Sequence, residues 1–390
     1  MTPRYELSIV IPTKNRQATA VTAARFAAAV GAANEVELIV HDCSDAPSLR
    51  NMLAENGLAD RVVYVHAEES LSMTENWNRA LGLASGEYVI VIGDDDAISF
   101  DILSVVRCAR AKGLPAVAST RAGCYWYSDC HDPKRASTLW LPRFSGAVAI
   151  PNDMRALLFE YASTGDLYYR LPMIYHCVIS HAVLELLRER TGVYVAGISP
   201  DVYSAFAIAC QIDRFAHIDY PLSLIGASAL SNTNRSTAGL LDLHVREFHQ
   251  HEFTWIAPDS FCLSATHTDN MAKAFISLGR DDLIAQIDIA RVYARTIVQE
   301  PFHFFRHLRK YQSVCVRRRA NVFYGSLKLF TYICAKLVLL SVRPFAELLR
   351  KSGKRASRPI SGVTSITRAV EIQEEWLKML GVRGPRMGTE

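Results

Sequence analysis

Several features that mark specialised classes of protein are scarce or missing in this chain of 390 residues. Glycine (20) and proline (15) occur at ordinary levels, which excludes collagen-like and proline-rich low-complexity proteins. The sequence shows no internal repeat, so a solenoid is excluded as well. Its formal net charge is only +4, which is too small to indicate a nucleic-acid partner, and none is expected.

Long apolar runs and a disulfide framework are also absent. The N-terminal apolar stretch covers only Leu7–Pro12, which is too short for the core of a signal peptide. No window reaches about 18 uncharged apolar residues, the length that a clean transmembrane helix needs. The 9 cysteines are odd in number and scattered, and the spacing of Cys124, Cys130 and His131 is not that of a zinc site. We therefore expect reduced thiols and a cytoplasmic protein.

What the chain does contain is enough apolar material for a large core, since 50% of its residues are hydrophobic and 21% are charged. Its length predicts one large domain with an appendage, or two domains. Near the N-terminus, apolar runs predicted as strands occur at Leu7–Ile11, Val36–Val40, Val62–Val65, Tyr88–Ile92 and Ala116–Ser119. Stretches predicted as helices lie between them, at Ala18–Val30, Ser48–Asn56, Thr74–Ala84 and Phe100–Ala111. This alternation predicts a doubly wound α/β fold, with a mostly parallel sheet and helices on both faces.

The C-terminal part has a different composition. Between His303 and Arg358 there are 14 Lys or Arg residues and a single acid, Glu347. A last helix is predicted at Val370–Leu380, with one apolar stripe formed by Ile372, Trp376 and Leu380. The predicted divisions of the chain are 1–235, split into 1–120 and 121–235, a helical region at 236–302, and a basic amphipathic helical tail at 303–390.

The most distinctive local feature is a run of three carboxylates, Asp94, Asp95 and Asp96, directly after the fourth predicted strand. Ligands of open α/β sheets bind at the carboxyl ends of the strands. Three adjacent anions repel one another unless a cation offsets them, and their oxygen atoms suit Mg²⁺ or Mn²⁺ bridged to a diphosphate. An EF-hand loop is excluded because its sixth and twelfth positions would be Ser99 and Val105. A helix cap formed by Asp96 or Ser99 is the alternative.

Polar turns also follow the first and second predicted strands. The first turn lies beside a helix N-terminus and suits a nucleotide edge or a phosphate; it contains Pro12, Thr13, Asn15 and Arg16. Asp42 follows the second strand, where nucleotide folds place an acceptor for ribose or base, and a simple Asx turn is the alternative. Neither GxGxxG nor GxxxxGK[ST] is present, which excludes dinucleotide oxidoreductases and P-loop ATPases.

Three segments together resemble the inverting glycosyltransferases of family 2, which have the GT-A fold. The segments are Ser8–Arg16, Glu37–Ser44 and Ala84–Asp96, and both their order and their spacing fit the family. The resemblance covers residues 5–120 well and 121–235 more loosely. It implies a Rossmann-like GT-A domain whose first half binds a nucleotide sugar and whose second half binds the acceptor.

The resemblance also implies roles for individual residues: Asp42 would accept a hydrogen bond from the base, and Asp94 would contact ribose or donor sugar. Two positions differ from the family pattern. Gly93 stands where the family often has the first carboxylate of its acidic motif, and Trp77 stands where it usually has an arginine, for which Arg79 is the candidate replacement. The residues implied to bind the nucleotide sugar are Pro12, Thr13, Asn15, Arg16, Asp42, Arg79 and Asp94, and those implied to hold Mn²⁺ or Mg²⁺ are Asp95 and Asp96.

Inverting transfer needs a base that deprotonates the acceptor hydroxyl opposite the leaving group. Asp201 is the predicted base, because Ile198–Ser204 resembles the family's position for it, a turn followed by an acid at the start of a helical stretch. A helix cap is the alternative role for this residue, and Asp166 and Asp213 are the reserve candidates. Gly226–Asn232 is a candidate for polar contacts to sugar, or a simple turn.

The sequence thus predicts a metal-dependent, hexosyltransferase-type inverting enzyme that uses a nucleoside-diphosphate sugar, with a UDP-sugar preferred, in cell-surface polysaccharide synthesis. Its acceptor would be a hydroxyl of a glycan or of a lipid-linked saccharide. The alternative is a catalytically silent nucleotide-sugar-binding or membrane scaffold protein of the same fold, which the departures at Gly93 and Trp77 keep open. A nucleotidyltransferase would need a glycine-rich first turn, and Pro12–Arg16 contains no glycine.

The basic tail indicates a second kind of contact. Leu329–Val342 is apolar over 14 residues except for Lys336, a length that suits an interfacial or buried helix better than a membrane span. Basic residues beside such a helix suit an anionic membrane surface, which would place the protein on the inner face of the cell membrane. A solvated charged face around a helix docked on the rest of the protein is the alternative.

Overall fold

A computed structural model describes residues 4–151, 153–165, 171–231, 263–317, 319, 321–351 and 359–385 of the protein. The strands in this part of the chain are β1 (Tyr5–Thr13), β2 (Val36–Asp42), β3 (Val62–His66), β4 (Gly86–Val91), β5 (Ala97–Ile98), β6 (Ala116–Ser119), β7 (Gly123–Trp126), β8 (Thr138–Trp140), β9 (Val148–Ala149), β10 (Val178–Ser180), β11 (Ala216–Ile218), β12 (Ser223–Ala227) and β13 (Ile360–Ser361). The helices are α1 (Gln17–Ala28), α2 (Ser48–Glu55), α3 (Met73–Leu81), α4 (Ile102–Ala111), α5 (Met154–Thr164), α6 (His181–Thr191), α7 (Pro200–Ala209), α8 (Leu263–Ser277), α9 (Asp281–Ile284), α10 (Ile289–Gln299), α11 (Phe304–Arg317), α12 (Val322–Lys351) and α13 (Ile366–Met379).

The first four strands form half of an eight-stranded sheet with the order β3-β2-β1-β4-β10-β6-β11-β9. β1 pairs in parallel with β2 and β4, and β2 pairs in parallel with β3, as their continuous apolar runs predict. β10 is antiparallel to both β4 and β6, so the sheet is mostly and not wholly parallel. A smaller sheet, with the order β13-β8-β7-β12-β5, joins β12 to the short strand that follows the acidic turn.

Each face of the large sheet has its own hydrophobic core, because side chains alternate along a strand. Ile9 and Ile11 of β1 pack with α1, α2 and α4 on one face, whereas Val10 packs with α3, α6 and α7 on the other. All strands and helices predicted up to residue 119 are present, with ends that differ by up to three residues. The predicted α/β fold with helices on both faces is therefore confirmed.

The described helices after residue 262 extend the core on the α3 side of the sheet. α8 packs on α7, and α10 packs on both α8 and α12. Leu329 and Ile333 of α12 are buried in the same core as Trp77 of α3. α12 is a continuous helix of 30 residues, much longer than the apolar run in its sequence. Its segment Val322–Ser341 is long and apolar enough to cross a membrane by length and composition, although only 17% of its most apolar window is buried in the protein.

The last helix, α13, returns to the core on the opposite face of the sheet, where Ile366, Val370 and Leu377 are buried. β13, which precedes it, pairs with β8, so this part of the predicted tail packs with the N-terminal half of the chain. The predicted helix is present, and the side chains of its predicted stripe, Ile372, Trp376 and Leu380, pack half-buried against this core at the edge of the fully buried row. The indole N–H of Trp376 donates to the carbonyl of Pro142 at 2.9 Å, which holds this polar ring edge at the rim of the core.

The packing of α13 predicts unequal effects of two truncations in the same helix. Leu377→Ala should lower the free energy of unfolding by about 2–5 kcal/mol, because the side chain is 2% exposed and its loss leaves a cavity. Met379→Ala should change it by less than about 0.5 kcal/mol, since that side chain is 73% exposed. Urea unfolding followed by tryptophan fluorescence measures both, and equal effects would contradict the docking of α13.

Candidate active site

The carboxyl ends of β1, β2 and β4 lie side by side at one edge of the large sheet. Thr13 at the end of β1 is in register with Asp42 at the end of β2, and Pro12 is in register with His41. On the other side of β1, Oγ1 of Thr13 donates a hydrogen bond of 2.5 Å to Oδ2 of Asp94. The structure therefore brings predicted residues from three separate segments to the strand ends, where ligands of such sheets bind.

Arg16 reaches from the turn after β1 into the acidic turn. Its guanidinium lies 2.6 Å from Oδ1 of Asp94 and 3.3 Å from Oδ2 of Asp95. The chain can make this turn because Asn15 adopts a left-handed backbone conformation (φ 57°), which asparagine tolerates better than most residues. The backbone N–H of Asn15 donates to Oγ of Ser44 at 2.7 Å, so this turn is also fixed against the turn after β2.

Asp95 is held from β12 and from the residue that follows it. Its Oδ2 accepts hydrogen bonds from the backbone N–H of Ser228 at 3.1 Å and from the hydroxyl of the same residue at 2.6 Å. β12 comes so close that a Cβ at Gly226 would overlap the main-chain carbonyl of Asp95. The segment that the sequence offered as a sugar contact or a simple turn thus positions a carboxylate, and Ser228 is a site residue that sequence reasoning did not single out.

Asp96 differs from its two neighbours because both of its carboxylate oxygens accept hydrogen bonds from the protein. Oδ1 accepts from the N–H of Gly226 at 2.7 Å, and Oδ2 accepts from the N–H of Gly93 at 2.6 Å and from the hydroxyl of Tyr175 at 2.9 Å. The alternative role of Asp96 as a helix cap is excluded, because α4 begins only at Ile102. Its carboxylate instead fixes the shape of the acidic turn, and its role as a metal ligand stays a prediction.

The acidic turn contains more negative charge than Arg16 alone can offset. Burial raises the pKa of Asp94 and that of Asp96, and repulsion from Asp95 raises both further, while the Arg16 charge lowers the pKa of Asp94. Burial by itself would lower the pKa of Arg16, but the charges of Asp94 and Asp95 raise it, so the guanidinium stays protonated. A further cation at this turn would therefore bind favourably.

The two departures from the family pattern meet at one residue, Tyr175. The ring of Trp77 packs against the ring of Tyr175 at a centroid distance of 5.5 Å. The Tyr175 hydroxyl, which donates to Asp96, would lie 2.8 Å from a Cβ at position 93, and the Asp96 carboxylate would lie 2.7 Å from it. A side chain at position 93 would therefore collide with the hydroxyl of Tyr175, whose ring packs against Trp77. The two departures from the family pattern are thus parts of one packing arrangement.

Asp42 is fully buried and both of its oxygens have partners in the protein. Oδ1 accepts from the N–H of Ser44 at 2.8 Å, which is the Asx turn considered as an alternative, and Oδ2 accepts from the hydroxyl of Tyr64 at 2.8 Å. Its contact with a base stays a prediction.

Asn76 of α3, which the sequence did not assign, links the ends of β1 and β2. Its Nδ2 donates to the carbonyl of Thr13 at 3.2 Å, and its Oδ1 lies 2.5 Å from Nδ1 of His41.

Asp201 lies in the first turn of α7, but it is not the N-cap of that helix, which is Ser199. Burial lowers the pKa of His176 to about 4, while the charges of Asp201 and Asp95 oppose this shift, so both carboxylates act on the same buried imidazole. The ring is held by Ser223, whose Oγ lies 2.7 Å from Nδ1. His176 is therefore a neutral buried histidine next to the acidic turn, and Asp201 is close enough for its charge to act on the same ring.

Polar contacts from two helices fix the loop that leads to Asp201. The side chain of Asn78 in α3 accepts from the N–H of Tyr194 at 2.9 Å and donates to the carbonyl of Val195 at 2.8 Å. From α8, Oδ1 of Asn270 accepts from the N–H of Ser199 at 3.2 Å. Burial lowers the pKa of His267, which is also in α8, and the charge of Asp201 opposes this shift. α3 and α8 thus position the predicted base between them.

Two other candidates lie away from the acidic turn, and a third is not among the described residues. The Arg79 guanidinium contacts Glu69 at 2.5 Å on the surface, and no described contact joins it to the acidic turn. Asp213 is exposed four residues beyond the last residue of α7, whereas Asp201 lies in the first turn of that helix. Asp166 lies outside the described residues.

The side chains of Asp94 and Asp95 fit one side of a Mg²⁺ or Mn²⁺ site. Such ions commonly take one or two carboxylates from the protein and complete their coordination with phosphate oxygens and water. Among the residues that the structure describes, no three His, Cys, Asp or Glu side chains converge as a full protein ligand set. The excess negative charge of the turn and the Asp94–Asp95 pair therefore fit an ion that is shared with a bound diphosphate.

Comparison with known proteins was made for both sequence and structure. Residues 8–129 match the model of glycosyl transferase family 2. The chain is 32% identical over 99 residues to WcaA of Escherichia coli (strain K12), a protein named for glycosyl transfer in colanic acid biosynthesis; the match spans 25% of this chain and 36% of that protein.

Among solved structures, S. aureus TarS 1–349 in complex with UDP-GlcNAc matches with a TM-score of 0.47 and 13% identity, over 84% of this chain and 89% of that one. The mannosyltransferase PcManGT from Pyrobaculum calidifontis, in complex with GDP-Man and Mn²⁺, matches with a TM-score of 0.37 and 16% identity, over 85% and 88% of the two chains. The family match includes β1, β2, β4 and the acidic turn, the elements that build the site described above. Over residues 8–129, the chain is thus similar to glycosyl transferase family 2.

Proposed function

We propose that the protein is a metal-dependent, inverting glycosyltransferase that moves a sugar from a nucleoside-diphosphate sugar, UDP-sugar in preference, to an acceptor hydroxyl. The observation that carries this proposal is the convergence of Thr13, Arg16, Asp94 and Asp95 at the carboxyl ends of β1 and β4. Buried carboxylates beside a guanidinium offer a mixed-charge surface to which a diphosphate and its cation can both bind.

In this proposal, the chain's own residues bind and orient the donor. Arg16 contacts the diphosphate with its guanidinium, which forms paired hydrogen bonds to phosphate oxygens. Pro12, Thr13 and Asp42 line the nucleoside. Asp95 would hold the Mn²⁺ or Mg²⁺ together with Asp94, which replaces Asp96 as the second ligand because both oxygens of Asp96 already accept hydrogen bonds. That ion, when bound, offsets the negative charge that develops on the departing diphosphate. Holding both substrates in one orientation removes much of the entropic cost of the reaction.

Asp201 acts as the base in the transfer step. Its carboxylate takes the proton of the acceptor hydroxyl while the hydroxyl oxygen bonds to the anomeric carbon from the face opposite the diphosphate. The bond between the anomeric carbon and the diphosphate oxygen breaks, and the nucleoside diphosphate leaves with the bonding electron pair. The loop before α7 is held by hydrogen bonds from α3 and α8. This supports the role of Asp201, because a base must be held in a fixed position relative to the acidic turn.

The proposed pathway is the synthesis of a cell-surface polysaccharide, with a glycan or lipid-linked saccharide as the acceptor, on the cytoplasmic side of the membrane. The relation to WcaA supports a polysaccharide product, although the match spans only about a third of that protein's length. The predicted basic tail supports an acceptor at a membrane, since it contains 14 cations and one acid.

The first test measures nucleoside diphosphate release from a panel of UDP, GDP and dTDP sugars with Mn²⁺ and an acceptor mixture. We expect turnover with a UDP-sugar, its loss in EDTA, and a strong decrease in Asp95→Ala, because the shared ion would lose one of its two carboxylate ligands. Asp60→Ala, at an exposed position in the same domain, is the matched control and should keep full activity. Calorimetric binding of a donor without turnover in any acceptor mixture would instead favour the silent binding protein.

Removal of the Arg16 guanidinium gives a second prediction. Arg16→Gln should weaken donor binding and should destabilise the nucleotide-free protein by about 3 kcal/mol, because Asp94 and Asp95 lose their partner. The loss should shrink as the pH falls, since protonation of Asp94 removes the unpaired charge. Mn²⁺ should raise the melting temperature of this variant more than that of the wild type. An equal Mn²⁺ shift in both proteins would contradict a shared cation position.

The third prediction tests whether Asp201 is the base. Asp201→Asn should lower kcat by about 10²–10⁴-fold while donor affinity stays unchanged, because the amide keeps the shape of the side chain but cannot take a proton. Asp213→Asn, at an exposed position four residues beyond the end of that helix, should leave both values as they are. Calorimetry with the donor and initial-rate kinetics measure the two effects. Full activity of Asp201→Asn would return the assignment to the reserve candidates.

A further inference from the structure

Within residues 322–341, the part of α12 whose surroundings are described, one stripe of side chains attaches the helix to the protein. Leu329 and Ile333 are buried against the core, and the hydroxyl of Tyr332 donates to Oδ2 of Asp288 at 2.8 Å. Lys328 adds an ion pair of 3.1 Å with the same carboxylate. Beyond this stripe the helix continues without cover: residues 337–341 are exposed on all sides.

The exposed surface formed by residues between 302 and 340 is strongly apolar. Phe302 is 99% exposed and Phe323 is 83% exposed, and the set of exposed apolar side chains also includes Phe305, Val316, Leu327, Phe330, Leu337, Val338, Leu339 and Leu340. Outside residues 302–340, Met379 is the one large apolar side chain in the described chain with more than 60% exposure. Apolar side chains concentrated in this way on a soluble surface indicate a binding partner. We call this set the exposed apolar face.

Basic side chains accompany the exposed apolar face. A shallow groove on α11 is lined by Arg306, Arg309 and Lys310 together with Phe302 and Phe305. A second groove, lined by Arg309 and Val316 among others, continues along the same helix. Since the segment from residue 303 to 358 has 14 cations and one acid, the partner must offer both apolar material and negative charge.

We propose that the exposed apolar face binds an anionic lipid bilayer, with α12 lying in the interface and not spanning the membrane. A bilayer with anionic headgroups offers negative charge above hydrocarbon, whereas a second copy of this chain would bring two positively charged surfaces together. A span would require about 20 residues in hydrocarbon. Residues 325–333 fall inside the only candidate span of the described chain, and they are held on the protein by Leu329, Ile333 and the contacts to Asp288.

This proposal goes beyond the proposed transfer reaction and is tested without it. The full-length protein is floated with phosphatidylcholine vesicles, with and without phosphatidylglycerol, and the bound fraction is measured against lipid concentration. We expect binding to the anionic vesicles, weaker binding to neutral ones and at high salt, and release by alkaline carbonate, which does not extract a spanning helix.

Two variants test the charge and the apolar face separately. Arg306→Gln with Arg309→Gln should weaken partitioning about 30-fold, since each charge near the surface contributes about 1 kcal/mol. Leu337→Ser with Leu339→Ser should weaken it about tenfold or more, because two side chains no longer enter the hydrocarbon. The matched controls are Arg143→Gln with Arg190→Gln and Leu186→Ser with Ile276→Ser, which change exposed residues elsewhere. Thermal melting confirms that each variant is folded.

Three outcomes would overturn the proposal. Absence of binding to anionic vesicles at low salt, or equal partitioning of the test and control variants, would show that the exposed apolar face does not bind a lipid bilayer. Resistance to carbonate extraction shows that α12 leaves its stripe and spans the bilayer. Dimers that form in lipid-free solution and disappear in the Leu337→Ser, Leu339→Ser variant, with no change in vesicle binding, assign the exposed apolar face to a second copy.

Discussion

The carboxylates of Asp94, Asp95 and Asp96 are buried next to one another, and the structure around them is organised to make that burial tolerable. A buried carboxylate is costly unless charged partners or hydrogen-bond donors surround it. Arg16 comes from the turn after β1, Ser228 comes from beyond β12, and Tyr175 comes from the segment before β10. Each of these contacts crosses more than 70 residues of sequence, so the acidic turn joins the two halves of the domain.

The same constraint explains why the acidic motif of this protein differs from the family pattern. Gly93 leaves space for the Tyr175 hydroxyl and the Asp96 carboxylate, and Trp77 supports the tyrosine ring. The two positions that differ from the pattern are therefore linked in this structure through Tyr175. Arg16 then provides the positive charge closest to Asp94, which gives it a larger role in this chain than the sequence suggested.

The core on the α3 side connects the site to the C-terminal helices. α3 and α8 hold the loop before Asp201, α8 packs on α10, and α10 packs on the docked half of α12. The proposed base and the exposed apolar face are thus parts of one packed layer and not separate modules. A bilayer bound by α12 would have a fixed position relative to the loop before Asp201, because packed helices of this kind move little relative to one another.

The sequence by itself determined the order of strands and helices up to residue 119, the acidic turn, and the family resemblance, because apolar periodicity and short motifs are local properties. The tertiary structure alone decided which partners those residues have. Arg16 with Asp94, Ser228 with Asp95, and Tyr175 with Trp77 are pairs far apart in the chain, and no local pattern encodes them. The same applies to the docking of α13: its buried row, which includes Ile366, Val370 and Leu377, has the spacing of a helix, but that spacing does not encode that the helix packs on the β7 side of the core.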